Sequence, residues 1–318
     1  MLFRNELPGL SYIQFRGFKP GYSRFLPQYM ALLFQTPLLL YHIVYEHFRL
    51  RSIIRRYSID IVISDNRFGL WSRKVKSVYI THMPLIPFPE PLRFMEFLGV
   101  LMHRAVIRRY SLCFIPDLPG EPNVSGRLSH GIKLPANVRY IGILSRFNSS
   151  GTSILKNPSP FRHNTVILSG PEPQREILKQ KLVTLLRDKE PDTVFLEGKP
   201  GITKHVVRSD NIIIFNHLPS AEMQEIISSS DTIITRPGYS TIMELISLDC
   251  SALLIPTPGQ TEQEYLAEFL SEKGWFSYCC QGKIKDSILP PPNKGVHSGE
   301  MIKESGILLL KALQELLE

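Results

Sequence analysis

Short, continuous apolar runs alternate with amphipathic stretches along the C-terminal half of the chain. The most regular example covers residues 231–267. A β-branched run at 231–235 is followed by a helical pattern that begins at Ser240 or Thr241, and an apolar run at 252–256 is followed by another helical pattern. Apolar strands that alternate with amphipathic helices predict an α/β fold in which helices cover a parallel sheet.

Two loops in this segment, 236–239 and 257–260, follow the predicted strands and precede the predicted helices. In parallel sheets, ligands bind beyond the carboxyl ends of the strands, where such loops lie. Gly238 lets a ligand approach the backbone closely, and the N–H groups at the start of the next helix suit a phosphate. The segment therefore predicts a site for a nucleoside diphosphate.

The same residues also fit an interpretation without any ligand. Thr241 with Glu244, and Thr261 with Glu264, have the spacing of capping boxes, in which side chains satisfy the first N–H groups of a helix. Capping boxes are common at helix starts. From spacing alone, both interpretations remain open.

The strings RPGYSTIMEL and LLIPTPGQTEQEYLA resemble the C-terminal domain of glycosyltransferase family 28, over residues 165–276. This family includes the N-acetylglucosaminyltransferase of the peptidoglycan lipid intermediate. The resemblance implies that the first loop and its helix hold the diphosphate. It also implies that Glu244 binds the nucleotide ribose and that Gln260 and Gln263 bind the donor sugar. Independently, His217 lies in a loop, 216–219, that precedes a predicted helix, and this position lets it reach the base.

The predicted donor site combines these positions with a second loop, 169–173, which holds fewer glycines than its family counterpart. Its residues are Gly170, His217, Arg236, Pro237, Gly238, Tyr239, Ser240, Thr241, Glu244, Gln260 and Gln263. Among them, Arg236 and the helix N-terminus are expected to stabilise the charge that develops on the leaving diphosphate.

A chain of 318 residues suits two domains. The resemblance implies the GT-B fold, two Rossmann-type parallel-sheet domains that face a cleft. We predict an N-terminal acceptor-side domain at 1–147, a linker at 148–164 and a nucleotide-sugar-binding domain at 165–318, whose last helix returns to the first domain. The N-terminal domain is expected to be incomplete, because the strand and glycine-rich turn that open this fold have no counterpart before Leu10.

Charge is divided unevenly. Residues 1–147 carry 20 Lys and Arg against 8 Asp and Glu, a net +12, and residues 148–318 carry 17 against 21, a net −4, which together give +8. A single basic cluster usually forms a solvated helix face. The excess as a whole favours an anionic partner such as a membrane surface or a lipid-linked acceptor, whereas no motif indicates nucleic acid.

Residues 25–45 are strongly apolar but are interrupted by Gln35, Pro37 and His42. A transmembrane helix needs a longer uninterrupted run. We predict a helix bent at Pro37 that is buried in the core, with a position on a membrane surface as the alternative.

Polar residues close two predicted N-terminal strands, Asp65 after 60–64 and His82 after 77–81. Either side chain can accept the proton of an acceptor hydroxyl, and we predict both as catalytic. The alternative is that each is satisfied by neighbouring loop backbone. We expect no obligatory metal and no cofactor, because no ligand cluster stands out.

The composition is that of an ordinary globular protein, with 43% hydrophobic and 21% charged residues. Cys113, Cys250, Cys279 and Cys280 are expected to be free thiols in a reducing cytoplasm, at the inner face of the membrane if the basic half binds lipid. The predicted function is transfer of a sugar from a nucleoside diphosphate, UDP in the resemblance, to an acceptor hydroxyl on a lipid-linked molecule or a polysaccharide. A nucleotide-sugar epimerase and a non-catalytic nucleotide-sugar binder remain as alternatives.

Overall fold

The computed structural model describes residues 7, 9–18, 28–147, 162–199, 205–284 and 292–318, without the side chains of residues 28–33. Most of the predicted linker, 148–164, lies outside these ranges. The chain divides into two compact units. The first-sheet unit comprises residues 15–144 and 300–318, and the second-sheet unit comprises residues 145–299 with part of the N-terminal segment.

The helices and strands between residues 28 and 140 are α1 (Gln28–Tyr57), β1 (Ile61–Asp65), β2 (Lys76–Ile80), α2 (Glu96–Ile107), β3 (Leu112–Ile115) and β4 (Val138–Tyr140). The strands form a sheet in the order β1-β2-β3-β4, and every pair is parallel. All residues of β3 are buried. Its continuous apolar sequence therefore matches a strand that is covered on both faces.

The second-sheet unit contains a longer series of elements. They are β5 (His163–Ile167), α3 (Gln174–Leu186), β6 (Asp192–Leu196), β7 (Val206–Ser209), β8 (Ile212–Phe215), α4 (Ser220–Ser228), β9 (Thr232–Thr235), α5 (Tyr239–Ser247), β10 (Leu253–Leu254), α6 (Thr261–Glu272) and β11 (Ser277–Tyr278). The strand order is β11-β10-β9-β5-β6-β8-β7, parallel except for the antiparallel pair of β7 with β8. The predicted α/β class with parallel sheets is confirmed.

This strand order has a functional consequence. From β5 the chain moves outward to β6 and β8, and it then returns to β9 on the other side of β5. The two crossovers diverge between β5 and β9, which opens a crevice at the carboxyl ends of these strands. The core beneath it joins Val166, Phe195 and Ile234 of the sheet to Leu178 and Leu182 of α3.

The last helix, α7 (Gly299–Leu317), packs on the first sheet. Its Ala312 and Leu316 join a buried cluster with Val78 and Phe114. The helix is tied to β4 by a bidentate ion pair, in which Arg139 Nη2 lies 2.7 Å from Glu315 Oε1. The first-sheet unit is therefore built from two separate parts of the sequence.

Helix α1 continues through Pro37 and is longer than predicted. Large apolar side chains on it face solvent, with exposed fractions of 75% at Phe34, 63% at Tyr41 and 62% at Phe48. The prediction of a core helix is wrong for this face, because the periodicity of apolar residues does not say whether a partner covers them. Across the described residues, no helix combines the length and apolarity that crossing a bilayer requires.

Candidate functional site

A pocket of about 350 Å³ lies at the carboxyl ends of β5, β6 and β8 in the second-sheet unit. Loops after these strands and the start of α5 form its walls. The polar and aromatic residues that line it are Arg146, Ser169, Gly170, Arg175, Glu197, Phe215, His217, Thr241 and Glu244. The pocket therefore occupies the divergence point between β5 and β9, where open α/β sheets bind ligands.

Helix α5 begins earlier than the sequence suggested. Gly238 is its N-cap residue with an extended backbone (φ −73°, ψ 132°), and no side chain caps it. Thr241 thus lies inside the first turn, and the predicted capping box of Thr241 with Glu244 does not form. The first-turn N–H groups have no acceptor within the helix, as at any helix N-terminus.

The second predicted capping box, Thr261 with Glu264, does not have the predicted N-cap. Gln260, rather than Thr261, is the N-cap of α6, and its side chain makes no capping bond. Glu264 Oε1 does accept a hydrogen bond from the Gly259 N–H at 2.9 Å. The Glu264 carboxylate therefore holds the loop just before α6, whereas the Glu244 carboxylate pairs with Arg146.

Glu244 forms the best-defined contact of the pocket. Its carboxylate forms an ion pair with Arg146, in which Nε lies 2.8 Å from Oε1, and accepts a hydrogen bond from Nη2 at Oε2 at 3.5 Å. The segment that carries Arg146 is held against α5 by a hydrogen bond of 2.7 Å between Ser145 Oγ and Ser247 Oγ. Sequence reasoning missed Arg146, because it lies 98 positions before Glu244 and beside the predicted linker.

A second group of charges borders the pocket on the side of α3. Arg175 donates to Glu172 Oε1 at 2.8 Å, and Lys179 donates to the buried Glu197 at 2.6 Å. Lys199 lies within 4 Å of both acids, 3.6 Å from each. Arg146 and Arg175 therefore give the pocket lining two guanidinium groups, the side chains best shaped to bind phosphate.

Arg236 does not lie in the pocket, contrary to prediction. Only 1% of it is exposed, and burial lowers the pKa of Arg236 to about 10. Its guanidinium donates to the carbonyls of Ile255 and Pro256, each at 3.0 Å, and of Gln174 at 3.1 Å. It also donates to Gln281 Oε1 at 2.6 Å. Arg236 therefore joins neighbouring loops, and both of its Nη groups are occupied by protein acceptors.

The other predicted donor residues divide into two groups. Gly170, His217, Thr241 and Glu244 line the pocket, whereas Pro237, Gly238, Tyr239, Ser240, Gln260 and Gln263 are not among its lining residues. Gly170 has φ +94°, a conformation that requires glycine. Gln263 Oε1 accepts the Thr257 N–H at 2.8 Å, so its amide oxygen stabilises the loop before α6.

The two catalytic candidates lie in the first-sheet unit. Asp65 is the exposed last residue of β1, and His82 follows β2 and is half-buried. Because Asp65 pairs with Ile80 in the parallel ladder, both candidates lie at the carboxyl edge of neighbouring strands. A third acid at this edge, Asp117, is fully buried and accepts the N–H groups of Leu118 and Ser125.

The His, Cys, Asp and Glu side chains that the structure describes form no cluster arranged to hold a metal ion. All four cysteines are free thiols. Burial raises the pKa of Cys113 to about 12, which leaves it unreactive at neutral pH.

Comparison with protein families identifies one part of the chain. Residues 193–289 match the glycosyltransferase family 28 C-terminal domain. This range contains His217, Thr241 and Glu244 of the pocket. The resemblance predicted from the sequence is confirmed by this match.

Two curated relatives are similar over a larger range. Both are uncharacterized glycosyltransferases, one from Methanosarcina acetivorans and one from Methanosarcina mazei. Each is 26% identical over 255 residues, which cover 76% of this chain and 64% of the relative. The matched region thus spans slightly less than two thirds of the relatives' length.

Two solved structures with the same fold are glycosyltransferases. The glycotransferase of kitacinnamycin has a TM-score of 0.55 and 12% identity, covering 95% of this chain and 80% of that one. The calicheamicin glycosyltransferase CalG4 has a TM-score of 0.51 and 10% identity, covering 97% and 80%. The fold of the chain is that of the GT-B glycosyltransferases.

Proposed function

We propose that the chain is a glycosyltransferase that moves a sugar from a nucleoside diphosphate sugar to an acceptor hydroxyl. The observation that carries this proposal is the pocket at the divergence point of the second sheet, with Glu244 in its wall. The family match over residues 193–289 and the glycosyltransferase relatives support the same class of reaction.

The pocket offers complementary groups for each part of a nucleotide. The backbone at Gly170 and the first turn of α5 suit phosphate oxygens, and Arg146 and Arg175 add positive charge. The Glu244 carboxylate suits a ribose hydroxyl, because an ionised acceptor strengthens such a hydrogen bond. Phe215, Leu218 and His217 form an apolar surface with a polar rim for the base.

During transfer, the acceptor oxygen forms a bond to the anomeric carbon while the bond from that carbon to the diphosphate oxygen breaks. The nucleoside diphosphate leaves with the electron pair, and the acceptor proton passes to a base. We assign this base to Asp65 or His82, at the carboxyl edge of the first sheet. Gln260 and Gln263 stay assigned to the donor sugar on the family resemblance alone.

The finer identity of the substrates follows from the resemblance and from charge. We expect UDP as the nucleotide and a lipid-linked molecule or a polysaccharide as the acceptor. The basic N-terminal half favours a peripheral position on the cytoplasmic face of a membrane. The chemistry of the pocket requires no metal or cofactor in this proposal, since arginines and helix dipoles supply the positive charge.

Isothermal titration with UDP and with UDP-hexoses tests the donor site. We expect Glu244→Gln to weaken UDP binding by roughly 10- to 100-fold, because a hydrogen bond to a charged group is lost. Glu268→Gln, the same change at an exposed position of α6, is the matched control and should bind UDP like the wild type. Equal affinities of the two variants would contradict the assignment of Glu244.

The base is tested separately by turnover. Asp65→Asn and His82→Gln are expected to leave the UDP affinity unchanged, and the variant that lacks the base should lose about 100-fold or more in kcat. Product analysis without an acceptor distinguishes transfer from epimerisation. Normal kcat in both variants would place the base elsewhere.

A further inference from the structure

The positive charge of the first-sheet unit is concentrated at one edge of its sheet. Cationic residues occur at the end of α1, just before β2, just after α2 and just before β4. They are Arg51, Arg55, Arg56, Arg73, Lys74, Arg108, Arg109 and Lys133, and all of these side chains are exposed. Because the strands are parallel, these positions share the amino edge of the sheet, whereas Asp65 and His82 lie at its carboxyl edge.

The end of α1 and the loop before β2 enclose a cavity of about 270 Å³ at this edge. Arg51 and Arg55 enter it from the helix, and Arg73 and Lys74 enter it from the loop. Behind them, an apolar cluster holds the helix to β1 and the loop. Its members are Leu50, Ile54, Ile59, Val62, Leu70 and Val75. The backbone positions of the cations are therefore fixed by packing on both sides of the cavity.

Aromatic rings lie between the cations. His47 stacks on Trp71 in the cavity wall with ring centroids 3.9 Å apart, and the guanidinium of Arg109 lies 5.6 Å from the Trp71 ring. Burial and the neighbouring Arg51 lower the pKa of His47, so the ring is neutral at neutral pH. Phe48 and Tyr57, at the same end of α1, are 62% and 50% exposed.

No described acidic side chain forms an ion pair with Arg51, Arg55, Arg73 or Lys74. The nearest acids in sequence are Glu46, which is paired with Arg67 at 2.7 Å, Asp60, which is exposed, and Asp65, which lies at the opposite, carboxyl end of β1. Like charges gathered in this way repel one another. An anion from outside the described chain would relieve this repulsion.

Two further basic cavities lie along the same edge, one lined by Arg51, Arg55 and Arg56 and one lined by Arg104, Arg108 and Lys133. A single soluble phosphate would occupy one of them. A surface with many phosphates would occupy them together, and exposed aromatic rings between cations are typical of segments that lie at a lipid headgroup layer.

We propose that the amino edge of the first sheet binds the phosphate headgroups of an anionic membrane surface, with the Arg51, Arg55, Arg73 and Lys74 cavity as its central contact. This proposal does not depend on sugar transfer, because the edge shares no residue with the nucleotide pocket. It assigns the expected membrane contact to one surface, the amino edge of the first sheet.

Co-sedimentation with lipid vesicles tests the proposal. The wild type should bind vesicles of phosphatidylcholine with phosphatidylglycerol and should not bind vesicles of phosphatidylcholine alone. The variant Arg51→Gln/Arg55→Gln/Arg73→Gln should bind the anionic vesicles at least tenfold more weakly, since each basic residue near the surface contributes to the attraction. UDP titration shows in parallel that the second-sheet unit is intact.

The matched control removes the same charge elsewhere. Arg187→Gln/Arg208→Gln/Lys294→Gln changes exposed positions of the second-sheet unit and should bind vesicles within about twofold of the wild type. An equal loss in both variants would show diffuse attraction only and would overturn the proposal. So would binding of pyrophosphate or duplex DNA at the cavity without binding of anionic vesicles.

If the triple variant does not fold, Arg73→Gln/Lys74→Gln provides the same test, because both changes lie in an exposed loop. Circular dichroism establishes its folding. If the folded double variant binds anionic vesicles like the wild type, the cavity is not part of the membrane contact and the proposal is wrong.

Discussion

Arg236 shows how a charged residue in a ligand-type motif can serve the fold. Its guanidinium reaches three backbone carbonyls and one side-chain amide from loops that are distant in the sequence. Buried carbonyls that lose their donor carry the full cost of desolvation. The motif thus contains one residue that connects loops, Arg236, and two residues that line the pocket, Thr241 and Glu244.

We expect Arg236→Gln to lower the free energy of unfolding by about 3 kcal/mol, because several buried acceptors lose a charged donor. Urea denaturation measures this change. UDP binding to the native fraction should stay close to wild type. A variant that is as stable as the wild type but binds UDP much more weakly would show that Arg236 contacts the nucleotide.

His103 provides a pH-dependent prediction. Burial lowers its pKa to about 4, and Nδ1 lies 2.9 Å from the Pro84 carbonyl. In the unfolded chain the ring takes up its proton near pH 6.5. The contribution of His103 to the free energy of unfolding is therefore fully present above pH 6.5. It declines as the pH falls towards 4, by about 3 kcal/mol at most.

Thermal unfolding of wild type and His103→Phe between pH 7 and pH 4 checks this expectation. The neutral aromatic ring should flatten the fall in Tm over this range. If Tm falls equally with pH in the two proteins, groups other than His103 cause the loss of stability at low pH.

At the scale of elements, the connection from β4 to the rest of the unit depends on a close approach to α7. Gly142 has φ +74°, and a Cβ placed there would lie 2.3 Å from Ser305 Cα. Ser305 Oγ accepts the Ile143 N–H at 2.7 Å, which fixes the two segments together. Helix α7 thus packs closely against the turn at Gly142 as well as against the sheet.

We expect Gly142→Ala to destabilise the first-sheet unit by more than about 2 kcal/mol, because backbone must shift and the residue is strained. Gly131→Ala is the matched control, since Gly131 has a similar φ of +71° but open space around it. It should cost only about 1 kcal/mol. Equal losses would assign the effect to backbone conformation rather than to the contact with α7.

The element scale also shows what sequence reasoning can predict. Apolar strands and amphipathic helices were readable from residues 231–267, because a buried parallel strand and a covering helix impose different periodicities. The pocket positions Gly170 and Thr241 followed, since loops after parallel strands meet at one edge, whereas Glu244 followed from the family resemblance. Arg146 and the start of α5 did not follow, because they depend on contacts between distant segments and on backbone geometry.

At the scale of the whole molecule, the first-sheet unit is completed by the last helix. Removal of residues 300–318 should uncover Val78 and Phe114 and destabilise this unit, because the apolar cover of one sheet face is lost. UDP binding, which we assign to the other unit, should remain. Calorimetry with and without UDP checks both expectations, and loss of UDP binding would contradict the separation.

The pocket that we assign to the nucleotide draws its walls from positions spread between Arg146 and Glu244. No short segment of the chain therefore contains all the residues that line the pocket. The pocket forms only when β9, β5, β6 and β8 have assembled into the sheet. A bound nucleotide would stabilise the assembled unit, because it binds only the folded state. Resistance of the second-sheet unit to a protease should therefore increase with nucleotide concentration.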